Sequence, residues 1–470
     1  MVDAPLPPEA AEAYERGLAA AERRDVAEAE RQWRIAAEAG HPRAAFELGY
    51  LFETREDWPE AERWHRLADE RGDEGGTLGA GVAVEKQGRV QEAMELFRRA
   101  WERGEDKAAF NLGRLYDDDG KGDLAAAAEW YGRAADKGNA GAAYNLGHVR
   151  SDQGDEAGKV AAWERARELK HPKAAFSLAF VHVKSGDEDK AVALWREAVE
   201  EFGDAKAAEN VGTYYLRRGD QARARFWNEL PGGLSAYSPQ FESFAAWSSA
   251  AAIHRQDVLN EAVGEDHIQF DMDEGTLTTG GRTYAGTTSL GSYSHLSKTW
   301  LWSWANPALS PDVPALARLS VLREYGRQHD IPELVIGHID LSGFPQPHQA
   351  ATTMTIAAAM LLGGNGMTSV RINDGKGSAY FHLDDERLPA AEYNHVGAPG
   401  LLMRAVEVFP SDARHVVRGF MRHHGFVRIR ESADVVDGTA TGGQRLTVGF
   451  TDRGLIKSIS SGNAEPPPSS

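Results

Sequence analysis

Residues 125–147 read AAAAEWYGRAADKGNAGAAYNLG. Ala127, Trp130 and Ala134 recur at three- and four-residue spacing, which places them on one face of a helix. Gly138 follows where a helix C-terminus favours a left-handed residue. A second helix then carries Ala142-Ala143-Tyr144, Leu146 and Gly147 on its inner face. The small residues admit a neighbouring helix at close range, and the aromatic fills the gap to the next layer.

The pattern recurs. Its copies are GHPRAAFELG from Gly40, GDEGGTLGAG from Gly72, GEDKAAFNLG from Gly104, GNAGAAYNLG from Gly138, KHPKAAFSLA from Lys170 and GDAKAAENVG from Gly203. Successive copies are 32, 32, 34, 32 and 33 residues apart, and Ala13 to Gly17 lies 32 residues before Ala45 to Gly49. A fixed period of this length is the mark of a helical-repeat array. Seven repeats of two helices are expected over residues 10–229. Trp64, Trp130 and Trp195 are expected to pack between repeats.

The array resembles the tetratricopeptide family, and more closely its Sel-one-like branch. The signature of that branch stands here as Trp130, Tyr131, Ala134, Ala135 and Gly138. Its Gly-x-Gly-Val loop is missing, and residues 118–122 echo it only in part. The resemblance implies a superhelix whose concave surface holds a protein or peptide.

The chain has 470 residues, which is too long for one ordinary core. Its formal charge is −19, and an acidic surface argues against nucleic acid as a partner. The same charge favours a basic partner. There are no cysteines, which excludes thiol nucleophiles, disulfides and cysteine-held metals. The acidic, proline-rich start MVDAPLPPEA carries no basic-then-apolar signal. No apolar run approaches the roughly 18 residues that cross a bilayer. A cytoplasmic protein away from the membrane is expected.

The period stops at residues 230–240, a linker rich in Pro, Gly and Ser. A helix over 241–263, closed by Gly264, leads into strands, with Gly280-Gly281 as a hairpin turn. Ser310 and Pro311 are expected to open a helix carrying Leu316, Leu319 and Leu322. Residues 333–341 read as a strand, 347–364 as a buried helix, and 369–385 as a hairpin. The sum is an α+β domain over 241–392. A smaller α+β subdomain follows over 396–462, with a helix capped by Ser411, and then a disordered tail at 463–470. The expected fold class is multidomain: an all-α helical-repeat solenoid followed by α+β structure with antiparallel sheet. The motifs FDMDEGTL, LGSYS and TWLWSWANP make residues 241–390 resemble an uncharacterised bacterial domain family, which implies a boundary and no mechanism.

The stretch TWLWSWANP (299–307) sets Trp300, Trp302 and Trp304 at alternate positions, which is one face of a strand. Two readings stand: a packed core under the apolar helices that follow, or a stacking platform for a sugar or peptide. A pocket beside Asn306, His338 and Asp340 is the favoured ligand site. His338 and Asp340 share a strand face, and with His348 they make a two-histidine, one-carboxylate set that is chemically able to bind metal. The competing reading is a hydrogen-bonded strand end and an exposed helix start, and no metal or cofactor is expected. His415, His423 and His424 point in different directions on one helix. The acidic trio at 117–119 lacks the spacing of a calcium loop. No P-loop or nucleophile elbow occurs.

The leading functional expectation is an interaction or adaptor protein. The repeats would hold a partner, and the α+β half would act as a second binding or regulatory module. The alternatives are a hydrolase served by His338, Asp340 and His348, and an immunity protein that neutralises a basic toxin.

Overall fold

A computed structural model describes residues 6–117, 122–263 and 268–463. Residues 118–121, Gly264 and the residues from 464 on lie outside these, and with them most of the partial motif echo and of the acidic trio. Contacts divide the chain into two compact units, residues 1–194 and 195–470.

The repeat helices are α1 (Pro8–Glu22), α2 (Val26–Glu38), α3 (Pro42–Thr54), α4 (Trp58–Glu70), α5 (Gly76–Lys86), α6 (Val90–Glu102), α7 (Lys107–Asp117), α8 (Leu124–Asp136), α9 (Ala140–Asp152), α10 (Glu156–Glu168), α11 (Ala174–Ser185), α12 (Glu188–Phe202), α13 (Ala205–Arg217) and α14 (Gln221–Glu229). α1 to α10 pair in sequence order as the period requires, and so do α13 and α14. Asp25, Asp57, Asp123, Asp155 and Asp220 each cap the second helix of a repeat by accepting a backbone N–H.

In each of the first five pairs the first helix presents a glycine to a ring on the second. A Cβ on Gly81 would sit 2.6 Å from the Phe97 ring, and one on Gly113 would sit 2.6 Å from Tyr131. Gly17 with Trp33 and Gly147 with Trp163 repeat the arrangement. In the second repeat the ring is His65, wedged between Gly49 and Gly79, whose Cβ atoms would each lie 2.6 Å from it. The rings facing glycine therefore stand one position after Trp64 and Trp130. Trp64 is buried beside its glycine-facing neighbour, and Trp130 is only half-buried.

In the second compact unit, α14 runs through a 3-10 turn (Leu230–Gly232) to α15 (Pro239–Val263). Three antiparallel sheets follow. β1 (Gln269–Asp271), β2 (Thr276–Thr279) and β3 (Arg282–Tyr284) form the first. Gly280 and Gly281 make its two-residue hairpin, both at positive φ. The second has five strands in the order β6-β5-β4-β8-β7. These are β4 (Thr288–Ser294), β5 (Thr299–Trp302), β6 (His338–Asp340), β7 (Gly366–Ile372) and β8 (Gly377–Leu383), with α16 (Leu319–Gln328) and α17 (Pro347–Leu362) between them in sequence. Then α18 (Ala398–Val408) and α19 (Ala413–His423) pack on α15, with Gly419 tight against the Trp247 backbone. The meander β9 (Phe426–Glu431), β10 (Val435–Ala440), β11 (Gln444–Phe450), β12 (Ile456–Asn463) completes the chain.

Prolines redraw several expected boundaries. Ser310 and Pro311 open no helix: Val313 is extended before Pro314, a 3-10 turn follows at Pro314–Leu316, and α16 starts at Leu319. Pro332 likewise turns Pro332–Leu334 into a 3-10 turn, so only His338–Asp340 of the expected strand pairs. Pro410 sets a 3-10 turn before α19, which begins at Ala413 rather than at a Ser411 cap.

The turn at Pro332–Leu334 carries Glu333, which is 0% exposed. Its carboxylate accepts the Ser238 N–H at 2.5 Å and the Ser238 hydroxyl at 2.7 Å. The Ser238 oxygen in turn accepts Phe241 N–H at 3.1 Å in the first turn of α15. Burial pushes the Glu333 carboxyl up to about 7, opposed by the Ser238 hydrogen bonds.

Two outcomes follow. Gly113→Ala drives a methyl into Tyr131 and should cost about 1–3 kcal/mol. Gly132→Ala meets nothing within 4 Å and should stabilise by about 0.5–1 kcal/mol. Denaturant unfolding of the two variants checks the opposite signs. A raised carboxyl pKa means the fold is favoured while Glu333 is protonated, and this contribution is lost as pH rises from the ordinary carboxyl range to about 7. The melting temperature of Glu333→Gln relative to the parent should therefore climb across that window and level off above it.

Candidate functional site

A groove of about 630 Å³ opens on the first compact unit, lined by the first helices of the second, third and fourth repeats. Phe46 and Tyr50 come from α3, Leu78 and Val82 from α5, and Glu105 and Lys107 from the start of α7. Tyr50 is 57% exposed, although it follows the buried Leu48-Gly49 pair directly. Arg43 lies over the Phe46 ring at 4.1 Å and pairs with Glu47 at 3.0 Å.

His65 also lines the groove while being only 1% exposed. One ring nitrogen, Nε2, meets Glu53 Oε1 at 2.9 Å, and Nδ1 has no hydrogen-bond partner among the described residues.

Glu105 is the informative residue. The matching position in other repeats caps the first helix: His41, Asn139 and Asp204 each accept a backbone N–H there. Glu105 does not, because its chain is longer than those of the capping Asp and Asn. Its Oε1 is buried and has no hydrogen-bond partner among the described residues. Burial pushes its carboxyl up to about 7, with Asp69, Asp73 and Glu74 adding to the rise against Arg103. A cation placed here offsets both the burial of the carboxylate and its repulsion by Asp69, Asp73 and Glu74. Sequence reasoning did not single out Tyr50, His65 or Glu105. The available signal was a glutamate in the capping slot.

In the second compact unit the tryptophan row divides. Trp300 and Trp302 are 0% exposed on β5, in edge-to-face contact at 5.1 Å. Trp302 donates its indole N–H to Glu333 O at 2.9 Å, and Trp300 packs against Tyr380 at 5.4 Å. Trp304 is not on the strand: it falls in a 3-10 turn (Ser303–Ala305) and stacks on Trp302 at 4.7 Å, half-exposed.

His338 and Asp340 line a cleft of about 590 Å³ with Thr299, Glu200 and Asp204. Burial raises the Glu200 carboxyl, against Arg196, Arg327 and Arg323. Asp340 Oδ1 accepts Ser342 N–H at 2.8 Å, and Asp340 O accepts Leu234 N–H at 2.8 Å. Asn306 is half-buried and accepts Ala308 N–H at 3.0 Å. It does not line this cleft. Nor does His348, which stacks on His295 at 5.4 Å and meets Tyr380 Oη at 3.2 Å. Among the described residues no group of three or more His, Asp and Glu is placed to hold a metal ion. The alternative two-histidine, one-carboxylate set is not assembled, because the short β6 and the start of α17 send His338 and His348 to different neighbours.

Burial separates the tryptophans energetically. Trp300→Ala should cost about 3–5 kcal/mol, and Trp304→Ala clearly less, by thermal or denaturant unfolding.

Residues 8–75 match the tetratricopeptide repeat model, and residues 242–386 match a family of unknown function, DUF6882. No curated protein matches the chain. Among solved structures, similarity extends to a protective antigen present in uropathogenic Escherichia coli strains, which displays an SLR fold. It is 22% identical, with 54% of this chain and 57% of that chain covered and a TM-score of 0.38. The chain thus spans little more than half the length of that protein. YrrB, a tetratricopeptide protein with an unusual peptide-binding site, is 19% identical over 36% of this chain and 91% of its own, with a TM-score of 0.30. The C-terminal part of a repeat protein from Cytophaga hutchinsonii is 13% identical over 46% and 92%, with a TM-score of 0.36. The chain carries tetratricopeptide repeats at its N-terminus and, after them, a domain of a family whose function is unknown.

Proposed function

We propose that the protein is a cytoplasmic adaptor whose repeat groove holds a partner segment bearing a basic side chain between apolar residues. The observation that carries this reading is the buried, unpartnered Glu105 Oε1 beside the exposed Tyr50 ring. A lysine or arginine supplies the missing donor, and its neighbours cover Tyr50, Phe46 and Leu78. Covering the exposed part of Tyr50 contributes about 2 kcal/mol at the usual area coefficient. The wedged His65 holds the two walls of the groove at fixed separation, so little ordering is left for binding to supply. The C-terminal half acts in this reading as a second binding or regulatory module. No helix among the described residues is long and apolar enough to cross a membrane.

A peptide array probed with the full chain tests the proposal. Peptides with one Lys or Arg flanked by apolar residues should be retained, and their Glu- and Gln-substituted versions should not. Glu105→Gln should weaken the retained peptides roughly tenfold, the loss of one charge-assisted hydrogen bond. Retention that ignores both the basic residue and the Glu105 substitution would sink this reading.

A further inference from the structure

A second chemistry stands on the five-stranded sheet. We propose that His295, His348, Arg371 and Lys298 form a binding site for a phosphate group.

The β-sheet register builds it. Arg371 on β7 pairs with Ser378 on β8, and Ser378 pairs with Tyr293 on β4. Neighbours across strands share a face, so this row carries the guanidinium toward the end of β4, where His295 follows. Arg371 Nη1 donates to His295 Nε2 at 2.8 Å, and Ser378 Oγ lies 2.9 Å from the same nitrogen. Lys298 Nζ donates to the His295 carbonyl at 2.7 Å. His348 stacks on His295 and lies in the first turn of α17, the positive end of a sixteen-residue helix. That helix start has no side-chain cap. Tyr293 and Tyr380 wall the site, Tyr380 through its contact to His348.

The charge balance is what points to a ligand. The chain carries −19 overall, and its arginines are commonly found against carboxylates. Here Arg371 is hydrogen-bonded to a neutral imidazole instead. Both imidazoles are held below the usual histidine range, by burial first and then by Arg371. No carboxylate is among the charges acting on either ring. Arg371, Lys298 and His348 thus meet around His295 beside a helix start, and no carboxylate among the described residues acts on either ring. An oxyanion with several terminal oxygens satisfies donors arriving from strand, turn and helix together, and a flat carboxylate satisfies fewer.

The test uses the full chain with carbon-13 label in the histidine rings. Inorganic phosphate is titrated at constant ionic strength, with chloride making up the balance. The His295 and His348 signals should shift saturably, while His171 and His41, in the repeat array, should not move. Arg371→Gln should raise the half-saturation concentration roughly tenfold. The exposed Lys298→Gln should raise it in the same direction, and it serves if the first variant folds poorly. Shifts that never saturate, that chloride reproduces, or that both variants leave unchanged would overturn the proposal. Acetate binding as tightly as phosphate would overturn the choice of anion. A phosphoserine peptide forms a second arm. Tighter binding than inorganic phosphate assigns the site to a phosphorylated side chain, and equal binding assigns it to a free phosphate.

Discussion

A ring pressed onto bare backbone is the constraint from which the repeat array follows. Two helices cannot approach closely enough for Phe97 to lie on Gly81, or Tyr131 on Gly113, unless the facing residue has no side chain. The alanines on either side, Ala44 and Ala45 or Ala108 and Ala109, are fully buried for the same reason. Bulk is thus concentrated in a few rings per layer, and the residues around them are small. Such packing gives a dense interior with few large hydrophobic residues. It also explains how an alanine-rich, strongly charged sequence sustains an ordered array.

The second compact unit is held differently. Its centre is a buried carboxyl that bonds a linker serine, while the carbonyl of the same residue receives the Trp302 indole. One residue therefore fastens the start of α15 and the end of β5 in the five-stranded sheet. Burying an ionisable group is expensive, and the two Ser238 donors offset part of that cost. The tryptophan pair is the apolar counterpart of this polar tie, and between them they fix where β5 ends.

Much of this was legible in the sequence, because repetition and hydrophobic period report local structure directly. The repeated copies, the Gly280-Gly281 hairpin, the helix at 347–362 and the strands at 366–372 and 377–383 are all set by residues close together in the chain. What escaped depends on distant partners. β10, with Asp437 and Gly438 in its middle, reads as loop until β9 and β11 are seen to flank it. The third tryptophan left the strand row because the chain turns at Ser303. His338, Asp340 and His348 looked like a set because strand and helix positions can be read from sequence and their separation cannot. Glu105 was overlooked for the opposite reason. Its oddity is visible only against what the same slot does in other repeats.

His65 has a consequence for mechanics. In four other layers the ring faces a single glycine, that of its own layer. His65 is gripped by glycines of two successive layers, and Glu53 holds its outer nitrogen. The second and third layers are pinned through a single axle and resist twisting against each other. The α3 and α5 walls of the groove therefore move together as one stiff block.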